Sequence, residues 1–185
     1  MVVYRVVSNL DYQGLMSDED ELLFKLTSSL GEPLGSVNFP KCHIGSLKDK
    51  RGNFFRLSNG NVVVDQLALS TIKPVMPKGT EYFPIQVEGI GELMYVNNTI
   101  KIDALDAEKC SWRHEADGKR KIILGYKFHA DKLETAPCLF KLPEHRFTRL
   151  LTVTGRASQP DDFYTRYTNA GLSGLVFEKL WTNEV

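Results

Sequence analysis

Apolar positions fall into two rhythms along this chain. Val2 to Val7 is a run rich in β-branched residues and predicts a first strand. Ser17-Asp-Glu-Asp20 then supplies a cap and an acidic first turn, and Leu22, Leu23, Leu26 and Leu30 follow at helical spacing until Gly31, which predicts a helix. Residues 31–53 hold six glycines or prolines and little periodicity, so they read as a long loop or covering segment. Phe54 to Leu57 predicts a short strand and Asn59-Gly60 a turn. Asp65 to Ile72 predicts a short helix with Leu67, Leu69 and Ile72 available for burial, ended by Pro74, Pro77 and Gly79.

Farther along, Tyr82–Val87 and Leu93–Val96 predict two strands around Gly89 and Gly91. Ser111–His114 and Lys121–Phe128 predict two more, flanking a tight Asp117-Gly118 turn. The last third carries the clearest unit. Ser158 stands where a cap belongs, Pro160 where a missing N–H costs nothing, and Asp161 and Asp162 where negative charge meets the positive end of a helix. Phe163, Tyr164, Tyr167 and Ala170 share one helical face, Gly171 ends the helix, and Leu175, Val176 and Phe177 begin a strand. Short, closely spaced strands with about three helices predict an α+β fold with mainly antiparallel sheet, its closing helix-turn-strand packed into the core. The chain reads as a single domain, 1–185, with an N-terminal lobe over 1–53 set against the rest.

The wording of three segments is distinctive. Tyr95-Val-Asn-Asn-Thr-Ile-Lys-Ile-Asp-Ala-Leu-Asp106, Leu139-Phe-Lys-Leu142 and Gly171-Leu-Ser-Gly-Leu175 together resemble the immunity-protein family of bacterial polymorphic toxin systems first described from a myxobacterium. In that family a tyrosine, an apolar residue and an asparagine, then two aspartates three apart, precede a closing helix followed by Gly-Leu-Thr-Gly-Leu. Ser173 replaces the threonine here. The resemblance spans residues 54–181, in the expected order. It implies a non-catalytic protein whose partner is a cognate protein toxin, with no cofactor.

Composition narrows the alternatives. With 185 residues and 42% hydrophobic content the chain can bury a sizeable core. Lys plus Arg and Asp plus Glu both total 23, so no overall field concentrates the protein on nucleic acid or an anionic membrane. The basic run Lys119-Arg-Lys121 reads as a solvated hairpin tip. No run of eighteen apolar residues is present for a membrane span. Met1-Val-Val-Tyr-Arg-Val-Val lacks the basic and apolar regions of a secretory signal, and Cys42, Cys110 and Cys138 are odd in number and far apart. Both features predict reduced thiols and a cytoplasmic location.

Catalytic and ligand chemistry is sparse. His43, His114, His129 and His145 show no metal-binding spacing, and adjacent Cys42 and His43 would point apart in a strand. Glu88-Gly-Ile-Gly-Glu92 has Met94 where a dinucleotide-binding loop needs its third glycine. No catalytic, cofactor-binding or metal residue is assigned. Asp103 and Asp106 are the best acidic pair: on a helical turn they would share one side and could supply a general acid, whereas the architectural reading has one of them capping a turn. An Asp/His hydrolase or transferase is therefore the alternative to toxin neutralisation. Trp112, Trp181, Tyr82 and Tyr95 could anchor an interface, although each is ordinarily core. Asp103, Asp106 and Trp112 are the candidate partner-binding residues.

Overall fold

The computed structural model describes residues 1–28, 31–46, 49–57, 61–114, 120–143 and 149–183. The Asn59-Gly60 and Asp117-Gly118 turns, Leu30, Lys119 and His145 lie outside the described residues, as do the side chains of Arg120 and Lys121. The chain order is β1 (Val2–Ser8), β2 (Leu15–Met16), α1 (Asp20–Thr27), β3 (His43–Ile44), β4 (Phe54–Phe55), β5 (Val62–Val64) and α2 (Gln66–Ile72), which tightens into a 3₁₀ turn at Lys73–Val75. There follow β6 (Glu81–Val87), β7 (Gly91–Asn97), β8 (Ser111–His114), β9 (Arg120–Gly125), α3 (Ala130–Thr135), β10 (Leu139–Phe140), β11 (Leu150–Thr154), α4 (Phe163–Asn169) and β12 (Leu175–Thr182). The fold is α+β and mostly sheet.

Two four-stranded antiparallel sheets form the frame, with orders β10-β11-β1-β12 and β4-β5-β7-β6. The ribbons β2-β3 and β8-β9 accompany them. The first strand of the chain is therefore central to a sheet, with Val3 opposite Val153 of β11 on one side and Val6 opposite Phe177 of β12 on the other.

Apolar clusters pack on both faces of each sheet, and the period-two alternation of side chains sorts residues among three of them. Val62 and Val64 of β5, Val96 of β7, Leu139 and Leu150 enter a central cluster with Ala68 and Ile72 of α2, Phe163 and Tyr167 of α4, and Leu172 and Leu175. Val3, Phe140, Leu151 and Val153 face the other way, onto Leu133 of α3, Tyr126 and Phe128. Val63, Ile85, Leu93 and Tyr95 form the outer face of the second sheet, under Leu15 and Leu23.

Several local expectations are corrected. Ser158 does not cap α4; its hydroxyl bonds to Glu134, and the Asp162 carboxylate accepts from Thr165 N at 2.8 Å instead. Helix α1 starts after Glu19, which makes no side-chain cap, while the Ser17 hydroxyl donates to Lys41 O at 2.9 Å. Leu22, Leu67 and Ala170 face solvent instead of the core, since their elements are short and bury only a narrow stripe. Helix α3 and strands β5 and β11 add to the elements that the pattern predicts.

Candidate functional site

The residues that carry the family resemblance converge inside the molecule. At the end of β7, Asn97 and Asn98 are fully or almost fully buried, and the Asn97 amide donates to Glu32 O (3.0 Å) and Glu81 Oε2 (2.9 Å). The Asn98 side chain turns the chain by accepting from Ile100 N at 3.0 Å. That turn presents Ile100 and Ile102 to Lys141: Lys141 N donates to Ile100 O, and Ile102 N to Lys141 O, each at 2.9 Å. The first and second of the three recognisable segments are thereby joined by backbone bonds, just past β10.

Lys141 itself is 0% exposed. Its Nζ donates to Asn61 Oδ1 at 2.9 Å, and the Asn61 amide in turn donates to the Tyr95 hydroxyl at 2.6 Å. Among the described residues no second acceptor meets a group with three donors to place. Burial pushes the Lys141 amine down to about 7, with nearby Lys101 adding to that effect and Glu32 opposing it. Glu32 and Lys101 form an ion pair at the rim. Glu81 closes the other side by accepting from Leu34 N (2.8 Å) and Gly35 N (3.2 Å). Asn97 Oδ1 and Asn98 Nδ2 are buried without partners among the described residues.

The candidates read from the sequence lie elsewhere. Residues 103–106 are not helical, because Leu105 is held in an antiparallel bridge to Phe128, so Asp103 and Asp106 do not act as a pair. Asp103 is exposed and meets Lys132 Nζ at 3.2 Å. Asp106 closes a turn: its carboxylate takes Lys109 Nζ at 2.8 Å and Lys109 N at 3.3 Å, and its carbonyl takes Lys109 N and Cys110 N, each at 3.1 Å. Lys109 holds the Asp106 carboxyl below its usual range, with His129 a smaller contributor. Trp112 is half-buried, and its indole donates to Ala107 O at 2.9 Å.

His43 lies in the β2-β3 ribbon, His114 is exposed at the end of β8, and His129 precedes α3. Among the described residues no group of three or more His, Cys, Asp or Glu could hold a metal ion. The three cysteines are buried and form no disulfide, and burial raises the Cys42 and Cys138 thiols. Among the described residues no helix is long and apolar enough to cross a membrane.

Sequence reasoning passed over Lys141, Asn61 and Glu81. The one signal for Lys141 was its place inside the apolar run Leu139-Phe-Lys-Leu142, where a solvated lysine is out of keeping. The partners of Lys141 are 80 positions away at Asn61 and 40 at Lys101, so no local pattern could name them. No protein-family model matches the chain, and no curated protein matches it.

Proposed function

We propose that this chain is a non-catalytic immunity protein that binds and neutralises a cognate protein toxin in the cytoplasm of the cell that makes both. One observation carries the reading. The three segments that resemble the immunity family share one core: Val96, Leu139, Leu172 and Leu175 lie in the same apolar cluster, and Lys101 bridges Lys141. The buried recognisable residues are thus framework, and recognition of a variable partner falls to exposed positions.

Leu10, Met16, Leu22 and Phe24 are exposed large apolar side chains outside the span of the resemblance, and Phe24 is 72% exposed. Buried aromatic anchors inside a polar rim carry most of the affinity in such interfaces, and Phe24 on α1, beside exposed Asp20 and Glu21, has that character. The partner-binding candidates Asp103 and Trp112 remain accessible or half-accessible.

Co-expression with the toxin-like product of a neighbouring gene tests the reading. Cells carrying both proteins should survive, and the two should co-purify. Phe24→Ser should weaken protection and leave the melting temperature unchanged. Equal killing with and without this chain, or no complex with any neighbouring product, rejects the proposal.

A further inference from the structure

The seam where the two sheets meet buries Lys141 with a single acceptor for its Nζ among the described residues. Lys141 follows β10 of the first sheet, whereas Asn61, Tyr95, Asn97 and Glu81 come from β5, β7 and β6 of the second or from the residues beside them. Gly31 lies directly on the lysine side chain. Its φ is 77°, and a Cβ there would fall 2.9 Å from Lys141 Cδ and 3.0 Å from Nζ. From Gly31 the chain runs across the seam, held by Glu32 O and by Leu34 N and Gly35 N on the Glu81 carboxylate.

A buried ammonium needs acceptors for its donors, and Asn61 Oδ1 is the acceptor present among the described residues. Among the described residues the charged groups acting on it are Lys101 after β7 and Glu32 of the crossing segment, with the Tyr95 hydroxyl of β7 behind Asn61. Lys101 repels the cation, and Glu32 is already engaged by Lys101.

We infer that Lys141 and the segment Gly31–Gly35 form a proton-controlled latch on this seam, closed over an uncharged amine and opened when the amine takes a proton from water. The direction of the coupling follows from linkage. An opened segment exposes Lys141 to solvent and lets it return toward the ordinary lysine value of about 10.4. Opening therefore becomes easier as pH falls from about 10 to about 7, and levels off below that. Burial of the neutral amine keeps the latch shut at higher pH.

The test uses the full chain with isotope-labelled lysine, the Lys141 side-chain signal being assigned by its loss in Lys141→Met. Lys141 should titrate near pH 7 while exposed lysines titrate near 10.4, to within about a unit. Amide exchange at Leu34 and Gly35, divided by the intrinsic rate at each pH, should rise about tenfold per unit as pH falls across that interval. In Lys141→Met the corrected rate should be flat. A Lys141 signal that titrates with the exposed lysines overturns the latch, and so does corrected exchange in the wild type that ignores pH. If Lys141→Met fails to fold, the wild-type exchange profile still decides the matter.

Discussion

At Asp162 one fully buried carboxylate serves two partners, accepting from Thr165 N at 2.8 Å and from the Thr154 hydroxyl at 2.7 Å. It caps α4 and ties that helix to β11. Asp162→Ala should lower stability by about 0.5–2 kcal/mol for the lost cap, with a further ~1–3 kcal/mol for the buried hydroxyl left unpaired. Ser158→Ala removes only exposed bonds to Glu134 and should change urea-unfolding stability by well under ~1 kcal/mol. Equal effects would place the cap where the sequence pattern alone puts it. Arg156 shows the same kind of hidden role. It is 2% exposed and donates to the carbonyls of Leu133 and Ala136, covering the C-terminal end of α3. Neither residue differs, as a letter in the sequence, from its surface counterparts.

Helix α4 and strand β12 are joined by a turn in which two glycines have different reasons to be glycine. Gly171 has φ 62° and open space where a methyl group would stand, so an alanine there meets only backbone strain. Gly174 has φ 107°, and a Cβ would stand 2.2 Å from Phe54 O. Gly171→Ala should cost about 1–2 kcal/mol. Gly174→Ala should cost more, because β4 must also retreat from the turn. Similar melting temperatures for the two variants would show that the Phe54 contact is easily relieved. The aromatic set around this unit explains why the turn must be held: Phe177 of β12 takes Tyr164 and Tyr167 edge-on, each at 4.9 Å between ring centres, while Tyr4 of β1 stacks on Tyr164. Strands β5 and β11 escaped the pattern for a physical reason. Val62-Val63-Val64 and Leu150-Leu151 are buried on both faces, so they lack the apolar-polar alternation that marks a half-solvated strand. Helix α3 buries only Leu133, too little for a stripe.

For the molecule as a whole, Lys141 links stability to pH. Its folded value of about 7 lies below the unfolded value of about 10.4, so between them the unfolded chain holds a proton that the folded chain lacks. Its contribution to stability is complete above about pH 10 and is lost as pH falls toward 7. The slope approaches on the order of 1 kcal/mol per pH unit. Urea unfolding of the wild type and Lys141→Met at pH 7, 8 and 9 isolates this contribution, since the buried thiols and tyrosines titrate in both proteins. The wild type should gain on the variant with each step upward. A constant difference would mean that Lys141 keeps its proton in the folded state.

Local chemistry made the helix ends and several strands legible. β-Branched residues marked β1, short runs on either side of Gly89 and Gly91 marked β6 and β7, Asp65 marked the start of α2, and Gly171 marked the end of α4. The α+β class followed from the spacing of those elements. Only the tertiary structure decided that β1 is central, that Asp103 and Asp106 serve separate lysines, and that Asn61, Asn97 and Lys141 meet in one buried seam. Each of these depends on which distant segments pack together, and burial can turn an ordinary lysine into a near-neutral amine only after that packing has excluded water.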